Sequence, residues 1–173
     1  MAKPIVILAE QMYQEMEIWY PLYRLREAGY EVVVAGPEAG KTYPSKLGYP
    51  CKSDIGYDEL DVTRFDGVVV PGGMAPDYIR RHDRANRFVK YMDDEGKLVA
   101  SICHGAWVLC SAHGMLKGRK ATCFFAIKDD VIHAGADYTD AEVVVDKNLV
   151  TSRKPDDLPA FMEACLKVLK AQG

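Results

Sequence analysis

The sequence of 173 residues predicts an α/β protein, a three-layer α/β/α sandwich around an open, mostly parallel sheet. Three observations predict it. Short runs rich in β-branched residues (PIVILAE, EVVVAG, DGVVVPGG and KLVASIC) recur along the chain, each too continuously apolar for a strand with one wet face. Segments of helical period lie between them. Glycines stand where those segments should stop. Strand, helix and strand in this length make a βαβ unit, so neighbouring strands run parallel.

The elements follow in order. PIVILAE is the first strand. Residues Met16 to Ala28 form a helix with Ile18, Leu22 and Leu25 on one face and Gly29 as its stop. EVVVAG is the second strand. Residues 37–61, rich in Gly, Pro, Tyr and Ser, make a hairpin or loop excursion. Its Tyr43, Tyr49 and Tyr57 either pack in a subunit interface or shield the interior from solvent. DGVVVPGG is a third strand ending on Gly72-Gly73. A helix spans Asp83 to Glu95 and closes at Gly96. KLVASIC is the fourth strand, and HGAWVLCSAHG turns at once into a helix that stops near Gly114. Lys120 to Thr122 is a short strand. AEVVVDKNLVTS is a β-hairpin turning at Lys147-Asn148, and Pro155 to Ala171 is a terminal amphipathic helix with Pro155 in its first turn. No repeat or low-complexity segment breaks the pattern, so one domain over residues 1–173 is expected.

Composition narrows the function. Hydrophobic residues make up 49%, enough for a packed core. The net charge of -3 carries no nucleic-acid footprint, so no such partner is expected. No segment approaches the roughly 18 apolar residues of a membrane span. The opening MAKPIVILAE is interrupted at Glu10 and does not read as a signal peptide. The five cysteines are odd in number and lack zinc-type or CxxC spacing, which fits reduced thiols in the cytoplasm. Single histidines without clustered partners make no metal site; His82, His113 and His133 read as surface residues. No GxGxxG stretch marks a nicotinamide enzyme. Neither metal nor cofactor is expected.

In open parallel sheets ligands bind beyond the carboxyl ends of the strands. That rule gathers residues 10–17, 71–77 and 103–105. Within them, Ser101-Ile102-Cys103-His104-Gly105 has small residues two before and two after the cysteine, the spacing of a nucleophile elbow. The tight strand-to-helix turn excludes bulk there and lifts Cys103 to a helix N-terminus. Partial positive charge and free N–H groups at such a terminus favour a thiolate, so a lowered thiol pKa is expected. The N–H of His104 and the Gly72-Gly73 loop supply donors for an oxyanion. Glu17, among Met16, Ile18 and Trp19 on an apolar face, should have a raised pKa and serve as hydrogen-bond donor or acid/base. Cys110 and Cys165 fall in helical patterns and read as packing residues.

The strings ASICHGAWVL, VVVPGGMAPDYIR and EMEIWYPLYRLREAGYEV resemble the PfpI family, with KDDVIHAG, DAEVVVD and LVTSRKPDDLPAF also in register. That family shares its superfamily with the parkinsonism-associated protein deglycase and the class I glutamine amidotransferase domains. The resemblance implies a flavodoxin-like fold, Cys103 as nucleophile, Glu17 as the carboxyl group that meets its sulfur, and His104 as the following histidine. It also implies that Asp77 orients His104 from a neighbouring subunit in a homo-oligomer, dimer or hexamer, although relatives can carry the longer Glu. Phe124 stands where relatives can carry Tyr or His, and Gln14 where some carry Glu. The activities implied are glyoxalase III or deglycase action on 2-oxoaldehydes or their protein adducts, or peptide hydrolysis. A third reading makes Cys103 an oxidative-stress sensor with a chaperone role.

Overall fold

The computed structural model describes residues 3–173. Strands β1 (Ile5–Leu8), β2 (Val32–Gly36), β3 (Thr42–Pro44), β4 (Pro50–Lys52), β5 (Ile55–Gly56) and β6 (Gly67–Val70) come first. They are followed by β7 (Leu98–Ile102), β8 (Lys120–Ala121), β9 (Asp137–Tyr138), β10 (Val143–Asp146) and β11 (Leu149–Ser152). The main sheet has seven strands in the order β10-β11-β7-β6-β1-β2-β5. All its pairs are parallel except the edge hairpin β10–β11.

The central strands form because their residues suit burial on both faces. Every residue of β1, β6 and β7 is buried, which is why they read as unbroken apolar runs rather than alternations. Helices α1 (Glu15–Glu27) and α6 (Leu158–Gln172) contact each other. The second layer holds α2 (Ala75–Ile79), α3 (Asp83–Asp94), α4 (Ala106–Ser111) and α5 (Lys128–His133). The result is the three-layer sandwich with a mostly parallel, flavodoxin-like sheet.

Local signals hold where expected. Gly29 ends α1 at φ 91°, and Tyr30 N–H returns to Leu25 C=O at 3.0 Å, so the last carbonyls are paired through a left-handed stop. Lys147 takes φ 57° at the tip of the β10–β11 hairpin. The 37–61 excursion is a β3–β4 hairpin that returns to the sheet edge as β5. Tyr43 and Tyr57 are buried within the chain, the latter donating to Ala9 C=O at 2.8 Å, while Tyr49 is exposed. Helices α2 and α5 and the two-residue β9, which pairs in parallel with β8, are additions to the predicted elements.

Candidate active site

Cys103 leaves β7 with φ 61°, the left-handed conformation an elbow demands of a non-glycine residue. The reason for glycine at 105 is direct. A Cβ there would lie 2.5 Å from Val70 C=O and 2.8 Å from Ser101 Oγ, so nothing larger fits the turn. The residues after Cys103 form one 3-10 turn before α4 begins.

Three other segments close around the sulfur. Gly73, at φ 75°, packs against the loop after β1, where a Cβ would meet Met12 C=O at 2.5 Å and Gln14 N at 2.6 Å. Gln14 N–H donates to Gly72 C=O at 3.2 Å, and Met74 N–H to Met12 C=O at 2.9 Å. Gln14 caps α1 through its side chain, accepting from Glu17 N–H at 3.1 Å. This N-terminal turn aims the Glu17 carboxyl inward. Glu17 is wholly buried, and its Oε2 accepts Gly72 N–H at 2.7 Å. The carboxyl also meets the Cys103 thiol, while Oε1 has no backbone or polar side-chain partner.

Burial pushes the Glu17 pKa up to about 8, against the opposing Gly72 N–H, so the acid is largely neutral at pH 7. This is the direction its apolar setting predicts. Cys103 departs from expectation. Burial first, then the neighbouring Glu17 carboxylate, pushes its thiol up to about 12, although N–H groups of His104 and Gly73 pull the other way. A lowered pKa follows from the charge and free N–H groups of a helix N-terminus alone; it leaves out the loss of water around a sulfur only 7% exposed. The two groups titrate as a pair rather than as an isolated reactive thiol.

His104 Nδ1 lies 3.3 Å from Cys103 Sγ. The imidazole is stacked on Phe124 (centroids 4.9 Å apart, planes at 29°) and meets Trp107 edge-on at 5.0 Å. Burial, then the charge of Lys46, lowers its pKa, which favours the neutral ring. Asp77 is not brought to His104 within the chain; it pairs with Arg81 one turn along. The cleft above the sulfur has a volume of about 360 Å³. Met12, Gln14, Gly73 and Met74 line it as the strand-end rule predicts, and Lys46, Phe124 and Pro155 join them. Neither Lys46 nor Pro155 is among the site residues that the sequence predicts. A larger hollow of about 690 Å³, near Tyr30, Gly96 and Gln172, contains no Cys or His. Among the described residues no cluster of His, Cys, Asp or Glu could hold a metal ion, and no helix is long and apolar enough to cross a membrane.

Fold and site together define an α/β protein with a cysteine elbow and a buried carboxyl partner. The DJ-1/PfpI family description matches residues 3–168, and the chain belongs to that family. It is 47% identical over 166 residues to Deglycase TK1284 of Thermococcus kodakarensis, covering 96% of this chain and 99% of the relative. It is 42% identical over 173 residues to Protein/nucleic acid deglycase 2 of Escherichia coli, covering 99% and 100%. Among solved structures, the two-domain protein with DJ-1/ThiJ/PfpI-like and ferritin-like domains from Anabaena variabilis superposes with a TM-score of 0.94 at 44% identity. That match covers 97% of this chain and 48% of the other.

Proposed function

We propose that the chain is a cysteine-dependent enzyme acting on 2-oxoaldehydes or their protein adducts, a glyoxalase III or deglycase type of reaction. The observation that carries this reading is the buried Cys103–Glu17 pair, with backbone N–H groups of Gly73 and His104 at the sulfur. The names of the archaeal relatives, deglycases, support it.

The residues suit an internal redox step. Cys103 sulfur adds to the aldehyde carbon, and His104 Nδ1 relays the thiol proton to the aldehyde oxygen. The Gly73 and His104 N–H groups steady that oxygen while it is charged. Glu17 in its ionised form takes the hydrogen of the former aldehyde carbon as a proton and returns it to the adjacent ketone carbon. The hydroxyl proton passes from the first oxygen to the second through His104. The aldehyde carbon is thereby oxidised and the ketone carbon reduced, and no outside oxidant enters. Water then cleaves the 2-hydroxyacyl thioester, giving a 2-hydroxy acid and the free thiol. An acid/base poised near 8 is close to the optimum for such proton shuttling at neutral pH.

We also propose that the working unit is a homo-oligomer in which Asp77 of a neighbouring copy approaches His104. Exposed Met12 and Met74 at the cleft leave an apolar rim for such a contact.

The test is a panel of methylglyoxal, glycated peptides, casein and chromogenic peptidase amides, run with wild type and Cys103→Ala. The reading expects Cys103-dependent turnover of the first two. Turnover confined to casein or the amides makes the protein a peptidase. Rapid peroxide oxidation of Cys103 without any turnover makes it a sensor.

A further inference from the structure

The cleft has a polarity that the carbonyl chemistry does not require. Its inner end is neutral near pH 7: Glu17 holds its proton below about 8, and the His104 pKa is lowered. Its walls include the apolar side chains of Met12, Met74 and Phe124. Its lining includes one lysine, Lys46, and no arginine.

Lys46 is not a casual surface lysine. Its own N–H donates to Tyr13 C=O at 3.0 Å. The flanking Ser45 hydroxyl accepts Leu47 N–H at 3.2 Å and Tyr49 N–H at 2.8 Å. Leu47 N–H also donates to Glu15 Oε1 at 2.9 Å. Tyr13 in turn bridges this loop to Gly73. The lysine therefore stands on a loop fixed to the same frame as the sulfur. Among the described residues its ammonium forms no ion pair, and its charge reaches the inner end, where it lowers the pKa of both Glu17 and His104.

We infer that Lys46 makes the cleft selective for carbonyl substrates that bear a carboxylate beyond the reacting carbon. This rests on the 2-oxoaldehyde reading above and deepens it by naming the substrate class. Methylglyoxal is small for a space of about 360 Å³. A longer substrate fills more of that space, and its carboxylate is met by the lysine on the lining. A carboxylate matches a single monovalent cation, whereas a phosphate dianion would leave charge uncompensated. Because the ammonium is solvent-exposed, its contribution is modest and falls with salt.

An isosteric pair isolates the effect: 4-carboxyphenylglyoxal and 4-carbamoylphenylglyoxal, the first anionic and the second neutral. The readout is the ratio of their kcat/KM values at low ionic strength for wild type, Lys46→Arg, Lys46→Gln and Lys46→Glu. The expected wild-type ratio is about fivefold in favour of the carboxylate. It persists in Lys46→Arg, drops to about one in Lys46→Gln, inverts in Lys46→Glu, and shrinks with added salt in wild type. Turnover of both aldehydes with a wild-type ratio near one, or with a ratio unchanged in Lys46→Gln, overturns the role of Lys46 and leaves the parent reading standing. No turnover of either aldehyde by a wild type that converts methylglyoxal overturns this inference alone; no turnover of methylglyoxal either overturns the parent reading with it.

Discussion

Glu17 and Cys103 meet across Gly72. A Cβ on that glycine would lie 2.5 Å from Glu17 Oε2, 2.7 Å from Cys103 Cβ and 3.1 Å from the sulfur. The glycine is what lets a carboxyl group from α1 and a thiol from the elbow after β7 occupy one buried site.

Gly72→Ala therefore should drive the pair apart. We expect turnover to fall by at least about a hundredfold, with a stability loss of about 1–3 kcal/mol from overpacking. Kinetics and urea unfolding of the variant check both. Unchanged turnover would mean that the pair tolerates separation.

Glu17→Gln should move reactivity and turnover in opposite directions. The carboxylate is the second largest influence holding the thiol pKa at about 12, so its removal lowers that pKa and speeds alkylation near pH 9. Turnover should drop about 10²–10⁴-fold, because the amide cannot shuttle a proton. Iodoacetamide labelling is best read in a Cys110→Ser background, since Cys110 is the one cysteine that is not buried. Glu17→Leu, lacking any hydrogen bond to the site, should lower turnover at least as far.

The same residue makes a stability prediction. The folded-state pKa of Glu17 lies above its ordinary value of 4.5, at about 8. Its burial costs nothing below the ordinary value, where the acid is neutral in both states. The cost grows as pH rises toward about 8 and is constant beyond. Unfolding free energy should thus decline between those limits in wild type relative to Glu17→Gln. The difference should reach about 3 kcal/mol at pH 7. Parallel urea titrations at pH 5 and 7 measure it, and equal slopes for the two proteins contradict the assignment.

His104 is held by rings rather than by an acid from its own chain. Phe124→Leu removes the stacked face and admits water, so the imidazole pKa should rise toward its ordinary value while turnover falls. An NMR titration of the ring reads the first effect. A shift without loss of turnover would show that ring orientation is dispensable.

Assembly gives a further prediction. Asp77→Asn should lower turnover without unfolding the chain, and dilution to monomer should do the same while Cys103 remains alkylatable. Sedimentation combined with activity at each concentration checks it. A monomer turning over at the full rate contradicts it.

What was legible in the sequence followed from short-range physics. The strands of the buried sheet show as apolar runs because both faces are covered, and the elbow shows because its steric limits act two residues either side of Cys103. Gly72-Gly73 was readable as a loop of backbone donors, but not as the gap through which Glu17 and Cys103 meet. Helix α5 and the two-residue β9 were not legible, being too short to repeat a period. Lys46 and Pro155 reach the cleft from separate loops, and no spacing in the sequence shows that they meet there. The thiol pKa was misjudged for a related reason. A helix terminus is visible in sequence, but the depth to which the sulfur is buried exists only in three dimensions.

The most direct test of the account is lactate formation from methylglyoxal, followed by NMR without coupling enzymes, in wild type and Cys103→Ala. The account predicts stoichiometric lactate from wild type and none above the uncatalysed rate from the variant. Lactate formed by Cys103→Ala at the wild-type rate would contradict it.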